Sequence, residues 1–267
     1  MSSPTVLYLS HGGGPLPLLG DPAHQQIVNT LAQIAKLLPK PKVIVVFSAH
    51  WEADEVTITH SEKPELIYDY SGFPDAAYDL SYPASGQPKL AEKVRNAFEK
   101  AGIRAHLDEN RGFDHGLFVP LTLLFPQANI PCIQVSLLKN LSAKQHLALG
   151  EALKGLFDDE TLVIGSGFSF HNMRAFFAKE SAESTVKNRA FEQWLQQTCS
   201  DEGITEAERY QRLKDWESAP HARYCHPREE HLLPLHVCYG LMQRPCDEVF
   251  EVTILNKLAS MYLWHSR

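Results

Sequence analysis

Short runs rich in Val, Ile and Leu alternate with amphipathic helical patterns along this chain, and that alternation constrains the fold most. Segments 6–9, 43–47, 56–59, 103–107, 132–137 and 162–164 have the length and composition of strands buried on both faces. Between them, 21–38 places Ile27, Leu31, Ile34 and Leu38 at helical spacing. Segment 87–101 does the same with Leu90, Val94, Ala97 and Phe98, and Gly102 supplies its stop. Segments 143–157 and 183–198 repeat the pattern, 205–216 reads as a charged, mostly solvated helix, 229–242 as another helix, and 249–255 with 261–264 add a hairpin or edge pair. Strand–helix alternation builds a mainly parallel sheet with helices on both faces. At about 150 residues per domain the length admits one or two domains. No repeat, low-complexity tract or Ser/Gly linker divides the chain, so 1–267 is expected to be a single α/β domain.

Composition removes several classes of partner. The net charge of -7 argues against a nucleic-acid partner, because phosphate-backbone binding needs clustered Lys and Arg. The longest nearly apolar stretch, 117–125, is about half a membrane span and contains Pro120. The opening MSSPTVLYLSHGGG lacks the basic n-region of a signal peptide, so no membrane partner is expected. Cys132, Cys199, Cys225, Cys238 and Cys246 form no CxxC pair and read as reduced core residues, which predicts a cytoplasmic protein. Segment 62–86, with four tyrosines, a phenylalanine and three prolines, breaks the alternation. Its length without a regular pattern makes it either a functional loop or a surface loop whose aromatics tuck onto the domain.

Thirteen histidines are a high share for 267 residues, and their placement matters more than their number. His11 follows the first strand and opens a Gly12-Gly13-Gly14 turn; His50 follows the second in FSAHW. His171 follows the strand ending at Ile164, after a Gly165-Ser166-Gly167 turn, in GSGFSFHN. In an open parallel sheet, ligands bind beyond the carboxyl ends of the strands, where these three converge. His115 lies in FDHGLFVPL, on a turn into an apolar helix, and His231 in HPREEHLLPL opens the 229–242 helix. His221, His226, His231 and His236 recur every five residues; five residues turn a helix by about 500°, so at most one or two belong to one site. Three neutral imidazoles hold a divalent ion with positions left open, and two more serve as acid and base. From residues alone the chain reads as a metalloenzyme acting at the C-terminal edge of its sheet, with the reaction open.

The motifs SHGGGP, FSAHW, YDYSGFP with Tyr82-Pro83-Ala84, DHGLFVPL, GSGFSFHN and HPREEHLLPL together resemble the class III extradiol ring-cleavage dioxygenases, in the 4,5-DOPA dioxygenase-like branch. They occur in the family's order and span about residues 5 to 255. The resemblance implies a three-layer α/β/α sandwich around a mainly parallel, mixed sheet. It places a divalent metal on His11, His50 and His231, the last in preference to Glu229 or Glu230. Fe(II) is expected for turnover, with Zn(II) an ion that a three-histidine shell also suits. His115 and His171 become the catalytic pair flanking the open face, with His171 a further metal neighbour in some readings. A small aromatic diol and O2 would be the substrates, DOPA-like in the branch, and a ring-opened semialdehyde the product. Tyr70, Phe118, Phe170 and His226 are the expected substrate contacts, whereas Arg174 and Arg223 read as solvated rather than as carboxylate anchors.

Three positions depart from that branch: SHGGG replaces SHGSP, two phenylalanines occupy GSGFSFHN, and Phe118 stands where tryptophan is usual. All flank the expected substrate, so substrate identity is where this chain should differ. Rival readings are a zinc-dependent hydrolase using metal-activated water and a non-enzymatic metal-binding protein on the same fold. A tetrapyrrole chelatase would leave HPREEH and DHG unexplained.

Overall fold

Each predicted apolar run becomes a strand in the computed structural model, which describes residues 2–267. In chain order the elements are β1 (Thr5–Ser10), α1 (Gln25–Leu37), β2 (Val43–Ala53), β3 (Val56–Thr59), α2 (Pro88–Lys100) and β4 (Ala105–Asp108). There follow α3 (His115–Leu124), β5 (Cys132–Leu138), α4 (Ala143–Ala152), β6 (Thr161–Gly167), α5 (Met173–Phe177) and α6 (Ala182–Ser200). The chain ends with α7 (Glu206–Lys214), α8 (Ala222–Cys225), α9 (Leu233–Met242), β7 (Glu248–Ile254) and β8 (Lys257–Trp264). One eight-stranded sheet has the order β4-β3-β5-β2-β6-β1-β8-β7. Its central strands β5, β2, β6 and β1 are parallel, while β8 runs antiparallel to β1 and β3 antiparallel to β5. Helices α1 and α3 pack together on one face, and α4 and α9 with α2 and α7 form the other layer. The expected three-layer α/β/α architecture on a mixed sheet is therefore present.

Glycine explains the main boundary differences. Strand β6 does not stop at Ile164 before a turn; Gly165, Ser166 and Gly167 remain in the strand, paired with Tyr8, Leu9 and Ser10 of β1. Their glycines are bare because the next layer touches the backbone. A Cβ on Gly165 would lie 2.6 Å from the Pro234 carbonyl oxygen, and one on Gly167 2.1 Å from that of His231. Strand β2 likewise continues through His50 to Ala53, past a register shift between Phe47 and Glu52. Helix α9 begins at Leu233, with Pro234 in its first turn, so His231 sits on the turn before it rather than within a helix starting at 229.

The 62–86 segment is a self-packed loop. Tyr68 Oη donates to the Leu80 carbonyl and Tyr70 Oη to that of Ala77, both at 2.6 Å, while buried Tyr82 reaches the Phe125 carbonyl at 3.2 Å. Its tucked aromatics fix the path of the residues between them.

Behind β8 lies a buried carboxyl. Glu192 of α6 is fully buried and accepts from Ser260 Oγ at 2.7 Å. Burial pushes its pKa up to about 8, against the pull of the serine hydroxyls. The folded state thus holds a proton that the unfolded chain releases from about pH 4.5, and this contribution to stability is lost as pH rises toward 8. Glu192→Gln should shrink the fall in stability between pH 5 and 8.5 by an amount on the order of 4 kcal/mol, read from urea unfolding at the two pH values.

Candidate functional site

Strands β2, β6 and β1 are neighbours and parallel, so their C-terminal ends open at one place. His11 immediately follows β1, His50 lies on the bulged end of β2, and His171 follows β6. His231 is brought over the same edge by its own carbonyl, which accepts from Tyr8 Oη at 2.9 Å and from the Phe168 amide at 3.0 Å. His115 is the first residue of α3. Gly116 beside it admits no side chain, since a Cβ would sit 2.5 Å from Ser48 Oγ and 3.3 Å from the His50 ring. Five imidazoles from five parts of the chain thereby meet, with ring centroids 3.5 Å apart for His171–His231 and 3.9 Å for His50–His115.

Four of the five rings are oriented through Nδ1. Ser166 Oγ donates to the Gly116 carbonyl at 2.5 Å, so it accepts from His11 Nδ1 at 3.0 Å. Glu230 Oε1 accepts from His231 Nδ1 at 2.8 Å and lies 3.1 Å from His171 Nδ1. Asp69 Oδ1 accepts from His115 Nδ1 at 2.7 Å and from the His115 amide at 3.0 Å; Oδ2 stands 3.8 Å from His50 Nδ1. With the protons at Nδ1, the Nε2 lone pairs are left for the centre. Two carboxylates thus hold three histidines, and Asp69 also lies near a fourth, His50. Asp114 takes a structural part: its buried carboxylate accepts from Ser48 Oγ, Arg111 and Gln134, which anchors the start of α3.

Electrostatics agree with that proton placement. Burial, reinforced by neighbouring imidazoles, holds His11 and His50 well below the usual histidine range and takes His231 down to about 3. These three rings are neutral at pH 7. Burial works to raise Glu230, but its hydrogen bonds to His171 and His231 prevail and hold it well below the usual carboxylate range. Asp69 shows the same competition, resolved downward by His115.

His11, His50 and His231 form a set able to hold a metal ion, their ligand nitrogens all within 4.8 Å of one another. His11 Nε2 and His50 Nε2 face each other at 2.9 Å. That spacing fits two nitrogens bound at about 2.1 Å to one ion and about 90° apart. The donor chemistry, three neutral imidazoles with carboxylates and a serine behind them, suits a divalent transition metal.

A cavity of about 260 Å³ lies above the rings, walled by Gly12–Gly14, Leu16, Tyr70, Phe73, Phe168, Met173, Phe176, Phe177 and Leu255. Tyr70 lines it. Phe118, Phe170 and His226 do not: Phe118 is buried behind Tyr68 and Tyr70, and Phe170 packs on Phe176 and Tyr224. His226 is buried against Phe191 and Trp216 and donates from Nε2 to the Ser169 carbonyl at 2.6 Å. Sequence reasoning missed Asp69, Ser166 and His24. His24 is buried, accepts the Gly13 amide at Nε2 (3.0 Å) and faces Asp21 through Nδ1 (2.6 Å), which pins the glycine turn after His11. Gly12 and Gly14 in that turn have φ of 87° and 55°, conformations that favour glycine.

These features coincide with one family. Residues 1–261 match the catalytic LigB subunit of aromatic ring-opening dioxygenase, and the chain belongs to that family. It is an extradiol-type ring-cleaving dioxygenase. Among its relatives, Dioxygenase tasH of Hapsidospora irregularis is 40% identical over 251 residues, covering 88% of this chain and 77% of that protein. The 4,5-DOPA dioxygenase extradiol of Beta vulgaris is 36% identical, with 75% and 73% covered, and that of Escherichia coli (strain K12) 32% identical, with 88% and 84% covered. The fold is similar to the crystal structure of an uncharacterized protein from Escherichia coli K12, with a TM-score of 0.74 at 26% identity over 97% of this chain and 99% of that one.

His24→Ala would strand the Gly13 amide and the Asp21 carboxylate. A loss of about 1–3 kcal/mol in urea unfolding is expected.

Proposed function

We propose that residues 1–267 act as one catalytic domain that opens a catechol-type ring, with a divalent ion held by Nε2 of His11, His50 and His231. The observation that carries this reading is the convergence of His11, His50 and His231 on one point: His11 and His231 are held at Nδ1, which leaves Nε2 for the centre, and His50 Nε2 lies 2.9 Å from His11 Nε2. Fe(II) bound there supplies the one-electron redox chemistry that lets a diol and O2 combine, which Zn(II), although suited to the same donors, lacks.

The chain's own residues handle position and protons. His171 is held by Glu230 at Nδ1, so its Nε2 takes the proton of a substrate hydroxyl and returns one as the ring opens. His115, held twice by Asp69, presents its Nε2 lone pair as an acceptor to a substrate hydroxyl. The apolar wall excludes water from the reacting atoms, and Tyr70, whose hydroxyl is tied to Ala77, offers its ring as a side wall. Both oxygen atoms of O2 enter the product as the bond beside the diol breaks, leaving an aldehyde at one end and a carboxylate at the other. The names of the plant and bacterial relatives make dihydroxyphenylalanine a natural first probe. Among the described residues no helix is long and apolar enough to cross a membrane, and five buried free thiols suit a reducing compartment such as the cytoplasm.

Anaerobic loading with Fe(II), followed by O2 uptake with substituted catechols, tests the reading. One O2 should be consumed per catechol with a yellow product, and the Zn(II) form should be inert. Equal rates for the two metals would defeat it. His115→Ala and His171→Ala should keep their metal and lose about 10²–10⁴-fold in turnover. Glu230→Gln should weaken metal retention by about 10–100-fold in chelator competition.

A further inference from the structure

The cavity above the five imidazoles has no charged anchor. Among the described residues that line it, none is Asp, Glu, Lys or Arg. Tyr70 is its one phenol, and that hydroxyl is spent on the Ala77 carbonyl. The remaining wall is glycine, leucine, methionine and phenylalanine. A catechol amino acid entering here would place an ammonium and a carboxylate against apolar side chains, at the desolvation cost that unpaired charges carry.

The mouth points the same way. Leu37, Met173, Phe177 and Val186 are the large hydrophobic side chains exposed among the described residues. Two of them, Met173 at 53% and Phe177 at 78% exposure, stand together on α5 at the cavity rim. Isolated apolar residues on a surface need no explanation, but a paired exposure continuous with an active cavity does. Helix α5 is fixed there: Asn172 caps it through the Ala175 amide at 3.0 Å and donates to the Tyr224 carbonyl at 2.7 Å. Phe176 braces it from beneath against Phe168 and Phe170, the two phenylalanines of GSGFSFHN. Leu255, at the β7–β8 turn, supplies a further apolar contact.

Nearby arginines do not change this. Arg228 is held by both oxygens of Glu52 at 2.6 Å, and Arg223 by Glu217 and Glu229. Arg174 has no acidic partner; it does not line the cavity but an adjoining groove, which shares His171 and Met173 with it.

We propose that the substrate is a catechol bearing a neutral, apolar substituent, which leaves the cavity across Phe176, Phe177, Met173 and Leu255. The proposal rests on the catechol-cleaving reading above. In it, Phe177 and Met173 are specificity-determining residues that the substituent covers.

Two measurements on the metal-loaded enzyme test it. Anaerobic calorimetric titration of the Zn(II) form with 4-methyl-, 4-propyl- and 4-pentylcatechol reads binding without turnover. Affinity should rise about three- to fourfold per methylene, and Phe177→Ser should flatten that slope. Dihydroxyphenylpropionate and dihydroxyphenylalanine should bind at least tenfold more weakly than 4-propylcatechol, and Arg174→Ala should leave that order unchanged. O2 uptake by the Fe(II) form should follow the same ranking in kcat/KM. Preference for either charged catechol, a flat chain-length series, or a tenfold loss of anionic ligands in Arg174→Ala would overturn the proposal. Cleavage of dihydroxyphenylalanine in preference would leave the proposed reaction standing and sink only the substrate class. Failure to cleave any catechol would sink the reaction, while the binding order would still judge the apolar mouth.

Discussion

The contact between the His231 carbonyl and the bare backbone of Gly167 governs the centre. Ring His231 reaches the edge shared by β1, β2 and β6 only because its own carbonyl lies flat against a strand without a side chain. The Tyr8 hydroxyl and the Phe168 amide satisfy that carbonyl, so the approach leaves no buried acceptor orphaned. The same economy recurs at Gly165, where α9 rests on β6, and at Gly116, where α3 rests on the His50 ring. Three glycines in two motifs therefore have one physical purpose, which is to let layers meet closely enough for imidazoles from distant segments to share a point.

Around that point the charges are arranged outside the rings. Neutral imidazoles occupy the middle, and ionised Asp69 and Glu230 sit behind them. Asp69 arrives from the aromatic loop, whose internal hydrogen bonds give it a fixed path. That loop also closes on the glycine turn after β1, with Phe73 packed 3.3 Å from where a Gly14 Cβ would be. A segment with little regular secondary structure is thus held in place by packed, half-buried aromatics and by the paired hydroxyls of Tyr68, Tyr70 and Tyr82.

Much of this was legible from residue order. Alternating strand and helix patterns led to the mixed sheet and its two helical layers, and the five histidines were found from their motifs at element ends. What escaped was what depends on tertiary packing. Asp69 lies in an irregular loop, where periodicity assigns no face. Ser166 was hidden inside a glycine-flanked stretch that reads as a turn, although those glycines lie in a strand. Phe118 sits on a helix that is apolar all round, so its pattern could not say whether it faced the ligand or the core. His226 and Phe170 were near the right motifs in sequence, but Phe191, Trp216 and Phe176 surround them. His24 had no signal beyond its residue type, since its role is defined by an amide eleven positions away.

The sharing of carboxylates divides the centre into two interlocked halves. One half sets His115 on Asp69 with His50 3.8 Å from the same carboxylate; the other joins His231 and His171 through Glu230. Each half contains one candidate ligand and one candidate proton carrier beside a common carboxylate. In the proposed function, metal grip and proton traffic are consequently coupled through the same two acids. A lineage that alters either acid must retune both at once, whereas the apolar rim can drift without touching them, and new substrates can be accommodated there while the chemistry stays fixed.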